Sequence, residues 1–116
     1  MILAVVDDLM FTSKIRTAAA AAGVPVSFAR SSASALEQLR TQPVSLVILD
    51  LNSSRTDPLG TVAALKADAA IAAVPVVGFV SHVQADLIAK ARTAGVDEVL
   101  ARSAFVARLS EILTRS

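Results

Sequence analysis

The stretch "LVILDLNSS", residues 46 to 54, decides the fold. Four apolar residues run straight into Asp50. A continuous apolar run of this kind reads as a strand buried on both faces; with Val44 and Ser45 before it, the strand covers 44–49. A carboxylate at the end of a buried strand is costly unless it is paired or put to use. The polar loop "NSSRT" follows, and then Asp57-Pro58, an N-cap residue with proline at the first helical position.

The same alternation runs outward in both directions. "ILAVV" (2–6) is a second buried run, followed by a helical pattern from Leu9 to Ala22 that Gly23 closes. "VPVSF" (24–28) is a weaker strand, with Pro25 suited to its start or to a sheet edge. Ser31 or Ser32 caps a helix carrying Leu36 and Leu39. The helix after Asp57 carries Val62 and Leu65. "VPVVGFV" (74–80) is the fourth strand. "SHVQ" (81–84) has the capping-box pattern, with Ser81 as N-cap, and its helix runs to about Thr93. "DEVLA" (97–101) is a short fifth strand, and Ser103 caps a last helix with Val106, Leu109, Ile112 and Leu113 on one face. Five strands alternating with five helices predict one α/β domain over 1–116. It is a flavodoxin-like, doubly wound, five-stranded parallel sheet with helices on both faces.

Composition narrows the class. The chain has 116 residues, 54% hydrophobic and 18% charged, with 11 basic and 10 acidic side chains. That is a globular chain with no basic stripe, so no direct nucleic-acid binding is expected. The absence of cysteine excludes disulfides and thiolate metal sites. The mean hydropathy of +0.63 owes much to alanine. The longest apolar stretch (69–80) is interrupted by Pro75 and falls short of the roughly 20 residues a membrane helix needs. "MILAVVDD" lacks the basic start of a signal peptide. No membrane association and a cytoplasmic location are expected.

The acids carry the chemistry. In open α/β sheets ligands bind beyond the carboxyl ends of the strands, where strand order reverses. Asp7 and Asp8 follow the first strand and Asp50 ends the third. In a 2-1-3-4-5 order these strands are neighbours, and three carboxylates converge. Their repulsion is relieved by a hard divalent cation, and Mg²⁺ combines one or two carboxylates with phosphate oxygens. Asp50 is then the natural nucleophile, since a carboxylate forms an acyl phosphate. Arg102, just past the fifth strand, is placed to neutralise the transferring phosphoryl group.

These residues also carry a resemblance. "VVDD" (5–8), "LVILDLN" (46–52), "VPVVGFV" (74–80) and "AGVDEVLARS" (94–103) together resemble the receiver domain of two-component response regulators, the last matching that family's "AGADDYLxKP". The resemblance spans nearly the whole chain. It implies a signalling module in a phosphorelay, not an enzyme beyond self-phosphotransfer and autodephosphorylation. It implies Asp50 as phosphoacceptor, with Mg²⁺ held by Asp8, Asp50 and the backbone carbonyl of Asn52, and with Asp7 acting largely through water. The implied partners are a histidine kinase or phosphotransfer protein and a downstream signalling protein, docking near the fourth helix, fifth strand and fifth helix.

Four positions depart from the family pattern. Its lysine is Arg102, a planar fork instead of a point charge. The following proline is Ser103. The switch aromatic is Val99. The switch hydroxyl, five residues after the strand-four proline, falls on Val80, and Ser81 lies one residue further, where a strand turns its side chain to the other face. These departures favour a second reading, a degenerate receiver acting by docking alone. Plainer roles also stand beside the site roles: Asp7 and Asp8 as helix-capping acids, Asp50 as a turn aspartate, Ser81 as a helix cap and Arg102 as a surface arginine. His82 reads as an exposed first-turn residue. A Mg²⁺-dependent phosphohydrolase fits less well, because "DDLMFT" (7–12) lacks the DxDxT spacing of the haloacid dehalogenase group. An FMN site fits less again, because two acids stand where a phosphate loop belongs.

Overall fold

The computed structural model describes residues 1–81 and 84–115. Its five strands are β1 (Ile2–Val5), β2 (Val26–Ala29), β3 (Leu46–Asp50), β4 (Val76–Val80) and β5 (Glu98–Ala101). All pair in parallel, in the order β2-β1-β3-β4-β5. The helices are α1 (Leu9–Ala22), α2 (Ser32–Thr41), α3 (Pro58–Ala67), α4 (Ala85–Ala94), α5 (Arg102–Ala107) and α6 (Leu109–Thr114). This is the flavodoxin-like arrangement the alternation predicts. Every residue of β1, β3 and β4 is buried, whereas β2 and β5 are partly exposed. Continuous apolar runs thus fill the centre of the sheet and weaker ones its edges.

Period-two alternation sorts the strand residues onto two faces. Leu3, Val5, Val47, Leu49 and Val80 pack with Leu39, Val62, Leu65 and Ala91 under α2, α3 and α4. Ile2, Ala4, Ile48 and Phe79 pack with Phe11, Ile15, Phe105, Leu109, Ile112 and Leu113 under α1, α5 and α6. Among the described residues no helix is long and apolar enough to cross a membrane.

Helix ends follow the sequence in several places. Gly23 closes α1 in the left-handed region (φ 70°). Ser31 Oγ accepts the Ser34 N–H at 3.1 Å and caps α2. Asp57 caps α3, with Pro58 as its first residue.

Two predicted caps do not form. Helix α4 begins at Ala85 with Gln84 as N-cap, so Ser81 is not its cap; Gln84 Oε1 instead accepts a hydrogen bond from Asn52 Nδ2 at 2.8 Å. His82 lies outside the described residues. Ser103 is not a cap either: β5 passes into α5 with no loop between, Ala101 takes the N-cap position and Ser103 sits inside the first turn. The last helix is also interrupted. Arg108 leaves the helical basin (φ −103°, ψ 11°), and its guanidinium pairs with Glu98 at 3.6 Å and Glu111 at 3.2 Å.

Candidate functional site

Strand order 2-1-3 brings the carboxyl ends of β1 and β3 side by side. Asp50 is the last residue of β3 and only 9% exposed. Its Oδ1 accepts the Asn52 N–H at 2.9 Å. Burial pushes the Asp50 carboxyl above the ordinary carboxylate range. The Asn52 N–H opposes this, Asp7 adds to it, Arg102 opposes it and Asp8 adds to it. Five of the sequence-predicted residues, Asp7, Asp8, Asp50, Asn52 and Arg102, therefore share one electrostatic neighbourhood.

The sign of that shift fixes a prediction. A carboxyl raised in the folded state favours folding while it is protonated, and that contribution is lost as pH rises through its folded pKa. At neutral pH the ionised Asp50 is thus a destabilising group. Asp50→Asn keeps an oxygen for the Asn52 N–H and removes the charge. In metal-free buffer at pH 7 its Tm is expected to exceed that of the wild type by a few degrees, with the gap closing as pH falls through the carboxylate range. A lower Tm for the variant at pH 7 contradicts this account.

Asp8 holds two roles at once. Its Oδ1 accepts the N–H groups of Met10 (2.9 Å) and Phe11 (3.1 Å), capping α1. Its Oδ2 faces Arg102 Nη2 at 3.7 Å. Among the described residues no group of three or more His, Cys, Asp and Glu side chains stands together as a ready metal cage. Asp8 is engaged by α1 and by Arg102. Two helix N–H groups and a guanidinium are better company for Asp8 than two other anions.

Asn52 has a part that the sequence reading missed. Its side-chain Oδ1 accepts the Ser81 N–H at 2.6 Å, while Nδ2 donates to Gln84 Oε1. One residue thus ties the end of β3 to the chain between β4 and α4. Ser81 is exposed, and what the structure gives it is a backbone bond to Asn52. Asn52→Ala is expected to cost about 1 kcal/mol and to speed amide exchange at Ser81; unchanged exchange there contradicts the clasp.

The altered positions are where the register predicts. Val80, 2% exposed, ends β4 opposite Ala101, and half-buried Val99 pairs with Gly78. Ser103 is exposed on α5, and no cis peptide bond occurs among the described residues. Arg102 stands at the rim of an open cleft of about 820 Å³ that Met10, Phe11, Lys14, Val80, Ser81, Ala101 and Ser103 also line. The Arg102 guanidinium lies over the Phe11 ring, 4.6 Å from its centroid.

The model of the response regulator receiver domain family matches residues 2–114. The chain belongs to that family. Receiver domains act in phosphorelay signalling with histidine kinases or phosphotransfer proteins, and are generally not enzymes beyond self-phosphotransfer. Among solved structures, the chain is similar to the phosphorylated cyanobacterial phytochrome response regulator RcpA. Identity is 25% over 98% of this chain and 89% of that one, with a TM-score of 0.78. The receiver domain of NtrX from Brucella abortus matches at 23% identity over 99% and 96% of the two chains, with a TM-score of 0.83. The chemotaxis response regulator CheY4 of Vibrio cholerae matches at 18% over 98% and 95%, with a TM-score of 0.85. The last two likenesses speak to the receiver fold alone. No curated protein matches the chain.

Proposed function

We propose that this receiver domain accepts a phosphoryl group on Asp50 in a Mg²⁺-dependent reaction, and that the modified domain presents a changed docking surface around α4, β5 and α5. The observation that supports this most is a buried carboxyl at the end of β3, beside the end of β1, which Asp7 and Asp8 follow. In the reaction an Asp50 carboxylate oxygen attacks phosphorus and the donor's leaving group departs, giving an acyl phosphate. Arg102 takes part of the phosphoryl charge.

The donors fit Mg²⁺ in kind. They are hard oxygens, three carboxylates and one backbone carbonyl, at the neighbouring carboxyl ends of β1 and β3. Asp7, Asp8, Asp50 and the backbone carbonyl of Asn52 would hold the ion. When bound, it would neutralise carboxylate and phosphoryl oxygens alike. For Asp8 the free oxygen is Oδ2, the one now facing Arg102. Binding metal there means releasing the guanidinium. The upstream partner is a histidine kinase or phosphotransfer protein, and the downstream one a signalling protein.

A second reading has specific support. Val80 and Val99 offer neither the switch hydroxyl nor the aromatic, and Asp8 is already committed to α1 and Arg102. A degenerate receiver working by docking alone would have these features. Mg²⁺ titration followed by amide NMR separates the two. The acceptor reading expects saturable shifts at Asp7, Asp8, Asp50 and Asn52 that Asp50→Asn weakens. Absence of such shifts supports the degenerate reading.

A further inference from the structure

Arg102 is the one cation among the charges that shift Asp50, and the structure seats it on an aromatic ring. Its Cζ lies 4.6 Å from the Phe11 centroid. Phe11 is 2% exposed and clamped in its turn. Its ring stacks on Phe79 with centroids 4.6 Å apart and planes at 21°, and lies 5.8 Å from Phe105. Phe79 and Phe105 complete the group at 4.6 Å. Three of the chain's four phenylalanines thus form one stack that joins α1, β4 and α5, with the guanidinium at its outer end. A planar guanidinium on a fixed ring face has its plane set; an ammonium has no plane to set. The Asp8 contact is long and open to solvent. It is 3.7 Å long, between side chains 40% and 44% exposed.

We propose that Phe11 is a positioning residue for phosphoryl transfer at Asp50. The ring holds the plane of the Arg102 guanidinium, so that the cation exchanges Asp8 for the phosphoryl group without leaving its seat. The proposal rests on the reading of Asp50 as acceptor. With acetyl phosphate as donor, the new bond joins an Asp50 oxygen to phosphorus, the old bond from phosphorus to the acyl oxygen breaks, and acetate leaves with the electron pair. Arg102 gives only N–H hydrogen bonds and loses no proton. The seat also gives arginine, in place of the family's lysine, a physical reason: the planar group stacks on the ring, whereas an ammonium meets it only as a point charge.

The test begins with the wild-type protein. The Arg102 Nε–Hε resonance, assigned by its loss in Arg102→Lys, is expected upfield of the arginines that face no ring, as is that of Arg16, which lies over Phe28 at 4.8 Å. Phosphorylation rates with acetyl phosphate and Mg²⁺ are then compared for Phe11→Leu and Phe105→Leu. Both remove a ring from the same buried stack, but the Arg102 guanidinium lies over the Phe11 ring. Phe11→Leu is expected to abolish the upfield shift and slow phosphorylation about two- to fivefold, the scale of one cation–π contact at a site open to solvent, with Phe105→Leu close to wild type. In an Arg102→Lys background Phe11→Leu is expected to cost less than it does in the wild type. Phe11→Met, which keeps volume without a π-face, replaces Phe11→Leu if that variant fails to fold. An unshifted Arg102 resonance, or equal slowing by the Phe11 and Phe105 variants, overturns the positioning role while Asp50 remains an acceptor. If the folded wild type takes up no phosphoryl group, the acceptor reading itself fails, and the positioning role with it, whatever the Arg102 resonance shows.

Discussion

Asp50→Asn protein is expected to gain no phosphoryl group from acetyl phosphate under conditions where the wild type gains one, as read by intact mass. The loss is complete, because the neutral amide offers no anionic oxygen to attack phosphorus. Neither Asp7 nor Asp8 substitutes for it. Asp8 has one oxygen on the α1 amides and the other on Arg102. The Tm of the same variant, measured alongside, separates this loss from unfolding. An adduct of equal size on Asp50→Asn would move the acceptor to another side chain.

The second large effect is on stability. Phe79 is 1% exposed and lies between Phe11 and Phe105, 4.6 Å from each ring centroid. Phe79→Ala removes the middle of the stack and leaves a cavity between β4 and the α1/α5 side of the core. The expected cost is about 3–5 kcal/mol, a large share of the roughly 5–15 kcal/mol that holds a domain folded. Urea unfolding followed by far-UV circular dichroism measures it, since the chain has neither tryptophan nor tyrosine to report by fluorescence. A loss below about 1 kcal/mol would mean that the cavity collapses and that the stack is not a rigid support for Arg102.

The fold was legible because the strongest signals were periodic and central. Residues 46–49 and 2–5 are buried without a break on β3 and β1, as continuous apolar runs imply. Strand starts were harder to delimit: Val44 and Ser45 precede β3, and Val74 and Pro75 precede β4. Val24 and Pro25 precede β2 instead of belonging to it, and Asp97 precedes β5. Caps divided by context. Asp57 and Ser31 cap as their sequences suggest, whereas the "SHVQ" pattern does not, because Asn52 claims the Gln84 side chain and the Ser81 amide across 32 and 29 residues. A local motif carries no information about such a distant competitor.

The site was legible in part for the same reason. Strand order alone places Asp50 beside the end of β1. It does not say which way Asp8 points, and the N–H groups of α1 decide that. The position of Arg102 could be read, but its seat could not. Phe11, Phe79 and Phe105 are scattered over 95 positions, and only packing brings their rings together. The available signal was an arginine at the lysine position of a chain whose few aromatics are all phenylalanine.

The most direct test of the central claim is the intact mass of the wild-type protein after incubation with acetyl phosphate, with Mg²⁺ and with chelator. The account predicts one phosphoryl adduct that requires Mg²⁺ and maps to Asp50. A folded protein that gains no adduct with Mg²⁺, or gains one equally with chelator, would contradict it.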